Sequence, residues 1–308
     1  MVGQLCYGYD LHRAPPPPKV NDSLLGCVER HPCDLEGATH HRVTEALMAV
    51  RDSIVMVTGG ASGIGAALAR ASASHGARAV VVTDIDDDGA SAVAATVGGV
   101  GMHLDVTDEA ATRAVIAAIE AEYGALDILF LNAGIATDGS VDAPDEAWQR
   151  TWDVNVMAHV YATRHALPGM LDRGSGHIVS TASAAGLLTN IGAAPYSVTK
   201  HAAVALAEWL SVTYGDRGIG VSCLCPQFVD TPMLEAFAGH SPEMQTWVRG
   251  IAIDADDVAE EVMGAIEAGR FLVLPHAQVA DYFLAKATDY ERWLAGMRRL
   301  QASMGPSH

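Results

Sequence analysis

From Ser53 onward, short apolar runs alternate with longer amphipathic runs along the chain. The short runs have the length and β-branched composition of buried strands, and the longer runs have the period of helices. This alternation is typical of an α/β fold, in which a mostly parallel sheet is covered by helices on both faces. Seven strands are predicted, near Ile54–Thr58, Ala79–Asp84, Gly101–Asp105, Ile128–Asn132, Gly176–Thr181, Ile219–Cys225 and Phe271–Leu274.

The turn after the first predicted strand is rich in glycine. Gly59, Gly63 and Gly65 lie between the run Ile54-Val-Met-Val57 and an alanine-rich helix predicted over Ala66–Ala73. Missing side chains let the backbone turn tightly and approach a pyrophosphate at a helix N-terminus. The turn therefore predicts a dinucleotide at the carboxyl ends of the strands, where a doubly wound, Rossmann-type sheet binds its ligand.

The second predicted strand ends in Asp84, which follows Gly65 by 19 residues. A carboxylate at this position accepts hydrogen bonds from both ribose hydroxyls of NAD. A 2′-phosphate would meet a like charge there, and neither Ser62 nor Ile85 provides a cation to offset it. The sequence thus predicts NAD as the cofactor, with NADP less favoured.

Tyr196 and Lys200 lie four residues apart in Pro195-Tyr-Ser-Val-Thr-Lys200, so a helix places both side chains on one face. A phenol is a poor base at neutral pH, because its ordinary pKa is about 10. A neighbouring ammonium is expected to lower the pKa of Tyr196 and make the pair a proton acceptor.

Together these residues resemble the short-chain dehydrogenase/reductase family, in its single-domain branch with TGxxxGxG and YxxxK motifs. The resemblance runs from about Asp52 to about Leu274, and Ser183 precedes Tyr196 by the 13 residues usual in that family. Further matching segments are Asn132-Ala-Gly134, Asp153-Val-Asn155, Ser180-Thr-Ala-Ser183 and the loop from Pro226 to Thr231.

The resemblance implies an enzyme that interconverts a secondary alcohol and a ketone by hydride transfer. Tyr196 would be the general acid/base, and Lys200 would lower the tyrosine pKa and bind the nicotinamide ribose. Ser183 would hydrogen-bond the substrate oxygen, and Asn155 would hold a water that links Lys200 to solvent.

The resemblance also implies cofactor contacts at most strand ends. Gln227 departs from the family pattern, which usually has glycine after the proline; this change removes no catalytic group but alters the loop. The predicted cofactor-binding residues are Gly59, Ser62, Gly63, Ile64, Gly65, Asp84, Asp105, Val106, Asn132, Ala133, Gly134, Tyr196, Lys200, Pro226, Val229 and Thr231.

The charge and cysteine content narrow the partners. The 308 residues include 19 basic and 37 acidic side chains, and the net charge of −18 disfavours nucleic acid and anionic membranes. A small-molecule substrate is therefore expected. The five cysteines form no legible disulfide framework, and no apolar run is long enough to span a membrane, so a cytoplasmic protein is predicted.

The sequence predicts three parts: a poorly ordered extension (residues 1–50), a catalytic domain (51–275) and a C-terminal helical extension (276–308). The first segment contains four consecutive prolines and scattered histidines without periodicity. Its cysteines and histidines match no zinc pattern, so no metal site is predicted. His159, His165 and His201 are interpreted as helix-surface or packing residues.

An amphipathic lid is predicted between Phe228 and Gly250, and it favours a substrate with a hydrophobic body. Self-association as a homodimer or homotetramer through the helices containing Asn155 and Tyr196 is expected from the resemblance, with alanines 202, 203, 205 and 207 allowing close packing. Two alternatives stay open: an NADPH-dependent ketone or 3-oxoacyl reductase, and a non-catalytic dinucleotide sensor. The predicted lid side chains are Met233, Leu234, Phe237, Met244 and Trp247, with Leu187, Leu188 and Ile191 extending the apolar wall.

Overall fold

The computed structural model of the protein describes residues 49–236 and 242–303. The N-terminal extension predicted over residues 1–50 lies almost entirely outside the described residues. Within the described part, residues 49–280 belong to one compact unit and residues 281–303 to another. The predicted domain boundaries stay predictions.

The larger unit is built on a seven-stranded sheet in the order β3-β2-β1-β4-β5-β6-β7, and every strand pair is parallel. This confirms the predicted fold class. The strand order reverses between β1 and β4, which places a crevice at the carboxyl ends of these two strands. The strands are β1 Ile54–Thr58, β2 Ala79–Asp84, β3 Val100–His103, β4 Ile128–Leu131, β5 Gly176–Thr181, β6 Ile219–Leu224 and β7 Leu272–Val273.

Both faces of β1 are buried, as expected for a strand covered by helices on each side. Val55 and Val57 belong to a core cluster with residues of the helices at 63–74 and 255–267, such as Leu68 and Val262. Met56, pointing to the opposite face because strand side chains alternate, is also fully buried.

The first helix begins at Gly63 rather than at the predicted Ala66. A π-helical turn, Asp153–Met157, separates the fourth and fifth helices. The helices are α1 Gly63–Ser74, α2 Asp87–Thr96, α3 Glu109–Tyr123, α4 Asp145–Trp152, α5 Ala158–Arg173, α6 Ala184–Leu187, α7 Ala194–Tyr214, α8 Pro232–Ala236, α9 Pro242–Ile251, α10 Ala255–Glu267, α11 Gln278–Thr288 and α12 Tyr290–Ser303.

Across the described residues, every helix is too short or too polar to cross a lipid bilayer.

Candidate active site

The glycine turn packs tightly against the end of β4. Gly59 has a φ of 65°, and a Cβ added there would lie 2.7 Å from the Ala133 Cα. A Cβ at Gly65 would collide with the Gly59 carbonyl, so a side chain is excluded at both of these glycines. The groove above the α1 N-terminus is therefore lined by backbone, which suits close approach of a pyrophosphate.

Ser62 and Ile64 lie on opposite sides of this turn. Ser62 is exposed at the N-cap of α1, and its side chain makes no capping bond, which leaves the hydroxyl free to donate outward. Ile64 is partly buried against the core cluster. The turn thus carries an exposed hydroxyl at Ser62, while the apolar side chain of Ile64 anchors it to the core.

Asp84 closes the adjacent end of the crevice at the tip of β2. Its Oδ2 accepts a hydrogen bond from the Ala61 amide at 3.0 Å, and its Oδ1 accepts one from the Asp86 amide at 3.0 Å. These bonds orient the carboxylate beside the glycine turn, and each oxygen keeps a further lone pair for a ligand hydroxyl. Asp86 and Asp87 are exposed close by, so the local charge is negative.

Asp105 and Val106 follow β3, and both are half-buried. The Asp105 Oδ1 accepts hydrogen bonds from the hydroxyl and the amide of Thr107, at 2.7 and 2.9 Å. These bonds lower the pKa of the Asp105 carboxyl below its ordinary value. The carboxylate is therefore fixed as an acceptor at the edge of the crevice.

Asn132 connects three neighbouring strands at the centre of the sheet. Its Nδ2 donates to the carbonyls of Thr58 and Gly59, both at 3.0 Å, and its Oδ1 accepts from the Thr181 hydroxyl at 3.3 Å. Asn132 thus fixes the glycine turn and the ends of β4 and β5 relative to one another. These bonds use most of the hydrogen-bonding capacity of its side chain.

The π-helical turn positions Asn155, which is fully buried. Its Oδ1 accepts from the Ile135 amide at 2.9 Å, and its Nδ2 donates to the Ile135 carbonyl at 3.0 Å and to the Thr199 hydroxyl at 3.1 Å. The side chain joins the segment that follows β4 to α7. The Asn155 Oδ1 and the Lys200 Nζ both lie beside Gly134, within 3.4 Å of where its Cβ would stand.

Ser183 caps the short helix α6 directly after β5. Its Oγ accepts from the Ala185 amide at 3.1 Å and lies 3.5 Å from the Pro226 carbonyl. It also hydrogen-bonds the Tyr196 hydroxyl. The serine therefore stands between the nearby proline loop and the phenol.

Lys200 is almost completely buried and donates from Nζ to the Thr181 carbonyl at 2.8 Å. The same nitrogen lies 5.7 Å from the centre of the Tyr196 ring. Burial lowers the pKa of Lys200 to about 8, opposed by the nearby Cys225 and Cys223. As predicted, the side chains of Tyr196 and Lys200 lie on one face of α7.

The expected lowering of the Tyr196 pKa was wrong. Burial raises the pKa of Tyr196 above its ordinary value, the hydrogen bond from Ser183 lowers it, and Cys225 raises it. Tyr196 is half-buried as a residue, and the desolvation of its hydroxyl is the dominant cause of the shift. At neutral pH the phenol is therefore protonated in this structure.

The loop from Pro226 to Thr231 lines the crevice opposite α6. The Pro226 carbonyl accepts from the Ala184 amide at 2.8 Å, and Val229 forms a bridge with Ile253. At its far end, the Thr231 methyl group would stand 3.0 Å from a Cβ at Gly63. The predicted cofactor-binding residues of this loop thus lie between Ser183 and the glycine turn.

Sequence reasoning missed His276, which bonds the backbone of this loop at two places. Gln227, the predicted departure from the family pattern, accepts a hydrogen bond on its Oε1 from Gln278 at 3.3 Å. One signal was available: His276 follows the carboxyl end of β7, the side of a parallel sheet on which ligands bind.

The three histidines interpreted as packing or surface residues differ in burial. His159 is buried beside the Ser180 hydroxyl at 3.2 Å, and burial lowers its pKa to about 3, so it is neutral. His165 lies 3.1 Å from a Glu109 oxygen, and His201 is exposed, with Nδ1 2.9 Å from a backbone carbonyl. In the described residues no group of three or more potential ligands is arranged to hold a metal ion.

The predicted lid is only partly described. Met233 is 40% exposed and Leu234 is half-buried, whereas Phe237 and the side chains of Met244 and Trp247 lie outside the described part of the structure. Leu187 and Leu188 are buried just past Ser183, and Ile191 is half-buried. An apolar wall therefore flanks the hydroxyl cluster on the α6 side.

The described cysteines, Cys223 on β6 and Cys225 directly after it, are free thiols whose sulfur atoms lie 3.8 Å apart. Cys6, Cys27 and Cys33 lie outside the described residues, as do His31 and His40. Burial and the contact with Cys225 raise the pKa of the Cys223 thiol, so it stays protonated.

Known proteins resemble this chain over most of its length. The short chain dehydrogenase family matches residues 53–241. The 1-deoxy-11-beta-hydroxypentalenate dehydrogenase of Streptomyces avermitilis is 33% identical, over 84% of this chain and 98% of the relative. The 3beta-hydroxysteroid dehydrogenase of Mediterraneibacter gnavus is also 33% identical, over 80% of this chain and 91% of the relative.

A solved structure agrees in fold. The short-chain dehydrogenase/reductase from Burkholderia phymatum in complex with NAD aligns with a TM-score of 0.73, covering 79% of this chain and 96% of that one, at 30% identity. The match in sequence, in fold and in the order of the motifs leads to one conclusion. The chain belongs to the short-chain dehydrogenase family of oxidoreductases.

Proposed function

We propose that the protein interconverts a secondary alcohol and a ketone with NAD as cofactor, and that Tyr196 is its general acid/base. The observation that supports this most is the cluster at the strand ends: the Ser183 hydroxyl bonds the Tyr196 hydroxyl, and the Lys200 ammonium lies against the tyrosine ring. A hydroxyl pair beside a buried cation suits proton transfer to a carbonyl oxygen.

In the proposed reduction, Tyr196 donates its phenolic proton to the ketone oxygen while Ser183 donates a hydrogen bond to the same oxygen. The raised pKa of Tyr196 suits this direction, because the phenol holds its proton at neutral pH. In the reverse direction Tyr196 takes the alcohol proton, and this demands an ionised phenol. The bound dinucleotide supplies the hydride donor or acceptor at the carbon.

Lys200 and Asn155 have supporting roles in the proposal. The Lys200 ammonium, which already donates to Thr181, has further protons for the nicotinamide ribose. Asn155 lies beside Lys200 at Gly134 and holds the α7 segment through Thr199. A water beside this pair would pass the proton on towards solvent.

The preference for NAD rests on Asp84. Its carboxylate is oriented by two backbone amides at the ribose end of the crevice, with Asp86 and Asp87 nearby. A 2′-phosphate would meet these negative charges, whereas two ribose hydroxyls would find an acceptor. This favours NAD over the NADPH-dependent alternative.

We further propose a substrate with a hydrophobic body. The half-buried Ile191, past Ser183, supports this, since apolar area that a substrate covers there contributes roughly 25 cal/mol per Å². The named relatives act on a hydroxypentalenate and a hydroxysteroid, and these names agree with such a substrate.

Self-association through α7 remains a prediction. This helix exposes Val198, Trp209 and Val212, which favours an interface. Ala203 and Ala207, expected to permit close packing between subunits, are instead fully buried within the protein.

The direct test is a panel of hydrophobic secondary alcohols assayed with NAD and NADP in parallel, reading absorbance of the reduced cofactor. Alcohols are assayed near pH 9, because the raised pKa of Tyr196 disfavours the base form at neutral pH. We expect turnover with NAD and weaker turnover with NADP. Binding of NAD without turnover of any alcohol or ketone in the panel would favour the sensor alternative.

A further inference from the structure

The loop Pro226–Thr231 connects the two halves of the proposed site. At one end the Pro226 carbonyl faces Ser183 and Ala184, and at the other end Thr231 packs against Gly63 of the glycine turn. A displacement of the loop would therefore move its proposed cofactor contacts, Val229 and Thr231, relative to both the glycine turn and Ser183.

His276 hydrogen-bonds the middle of this loop through both of its ring nitrogens, an arrangement that we call the clamp. Nδ1 accepts from the Gln227 amide at 3.2 Å, and Nε2 donates to the Phe228 carbonyl at 3.0 Å. These partners define one tautomer, the neutral ring protonated on Nε2, because the first is a donor and the second an acceptor. The residue is 4% exposed, so the clamp is shielded from solvent.

Two further hydrogen bonds at the same loop residues reinforce the clamp. The Phe228 carbonyl also accepts from the Ile253 amide at 3.1 Å, and the Gln227 side chain bonds Gln278 at 3.3 Å. Residues 276–278, just past the last strand, therefore hold residues 227 and 228 through both backbone and side chain. A loop without such bonds would sample several positions and would lose entropy when a ligand ordered it.

We infer that His276 is a positioning residue that presets the Pro226–Thr231 loop for the nicotinamide half of the dinucleotide. This inference rests on the proposed function. It assigns a role in cofactor binding to a residue outside the cluster of Ser183, Tyr196 and Lys200.

The test compares His276→Ala with the parent in two measurements. In the protein without cofactor, hydrogen–deuterium exchange of the Gln227 amide should become at least tenfold faster. In titrations with NADH, the Kd should rise about tenfold, the size expected for two hydrogen bonds. The KM for NAD should rise with it, while kcat at saturating NAD stays within about threefold of the parent.

Conservative variants and a control separate positioning from general stability. His276→Gln keeps a donor for the Phe228 carbonyl, and His276→Asn keeps an acceptor for the Gln227 amide, so each should restore part of the NADH affinity. His75→Ala removes a histidine that bonds Glu260 on α10, and it should leave both the Kd and the Gln227 exchange unchanged.

Unchanged exchange at Gln227, or an unchanged NADH Kd in His276→Ala, would overturn the inference. So would a rise in Kd accompanied by faster exchange throughout the sheet, since that pattern indicates loss of stability alone. A parent protein that binds neither NADH nor NADPH would instead refute the proposed function, a result the parent titration reports by itself.

Discussion

Buried polar groups are used in opposite ways at the amino ends of the parallel strands (the amino edge of the sheet) and at their carboxyl ends (the carboxyl edge). At the amino edge, His177 near the start of β5 lies 3.0 Å from the Ser222 hydroxyl, which in turn donates to the Arg270 carbonyl at 2.8 Å. At the carboxyl edge, the last residue of the same strand, Thr181, accepts a hydrogen bond from the Lys200 ammonium.

The difference lies in the charge that each edge keeps. Burial lowers the pKa of His177 to about 4, so it is neutral and its hydrogen bond serves packing. Burial lowers the pKa of Lys200 only to about 8, so its charge persists at neutral pH despite the desolvation cost. A buried charge beside a phenol and a serine is costly for folding, and it marks the edge where we place the chemistry.

The largest expected effect comes from removing that charge. Lys200→Met keeps an unbranched side chain and should lower turnover at least about a hundredfold, because in our proposal the ammonium supports the proton transfer and the ribose contact. The unfolding temperature should stay within a few degrees, since an unfavourable buried charge is also removed. Steady-state kinetics and thermal melts measure the two effects, and a stable variant with parental turnover would break the contrast between the edges.

A pair of aspartates tests the same contrast for cofactor choice. Asp84→Asn at the carboxyl edge should reduce the ratio of kcat/KM for NAD to that for NADP by about tenfold, because it removes a like charge from the site of a 2′-phosphate.

The matched control is Asp127→Asn at the amino edge, where the Asp127 carboxylate accepts from the Ile54 amide at 2.8 Å. It should lower stability and leave the cofactor ratio unchanged. An equal ratio of kcat/KM for NAD to that for NADP in the parent and in Asp84→Asn would show that Asp84 does not set the cofactor preference.

The sequence predicted the bounds of an element correctly where the contacts that determine them are local. The bounds of β1, β2 and β5 agree with the predictions, because glycine or polar residues bracket their apolar runs. The last strand is shorter than predicted, with two residues, Leu272 and Val273. Its apolar run extends further than its pairing with β6, which no local pattern reveals.

Distant contacts explain what sequence reasoning missed. The π-helical turn at Asn155 accompanies side-chain bonds to Ile135 and Thr199, 20 and 44 residues away. The direction of the Tyr196 pKa shift depends on burial, which the i to i+4 spacing of Tyr196 and Lys200 does not report. The clamp by His276 joins positions 48 and 49 residues apart.

The smallest expected effect is on the acid sensitivity of the unfolding temperature, through His177 at the amino edge. The pKa of His177 is lower in the folded protein than its ordinary 6.5, so its contribution to stability is present above pH 6.5 and is lost as pH falls towards about 4. His177→Gln keeps a donor for Ser222 and does not titrate. Its unfolding temperature should therefore fall less than the parent's between pH 7.5 and 4.5, by a few degrees.

His201→Gln, at an exposed histidine on α7, is the control and should follow the parent in this comparison. Identical acid sensitivity of the parent and His177→Gln would contradict the lowered pKa of His177, since a group with the same pKa in the folded and unfolded states adds no acid sensitivity. Because His159 also titrates on unfolding, some acid sensitivity should persist in His177→Gln.

The central claim, that the Tyr196 hydroxyl transfers the proton, is tested most directly by Tyr196→Phe. This change removes one oxygen and keeps the ring beside Lys200. The account predicts that the variant binds NADH with nearly the parental Kd and that its turnover of a secondary alcohol falls at least about a hundredfold. Turnover equal to the parent's would contradict it.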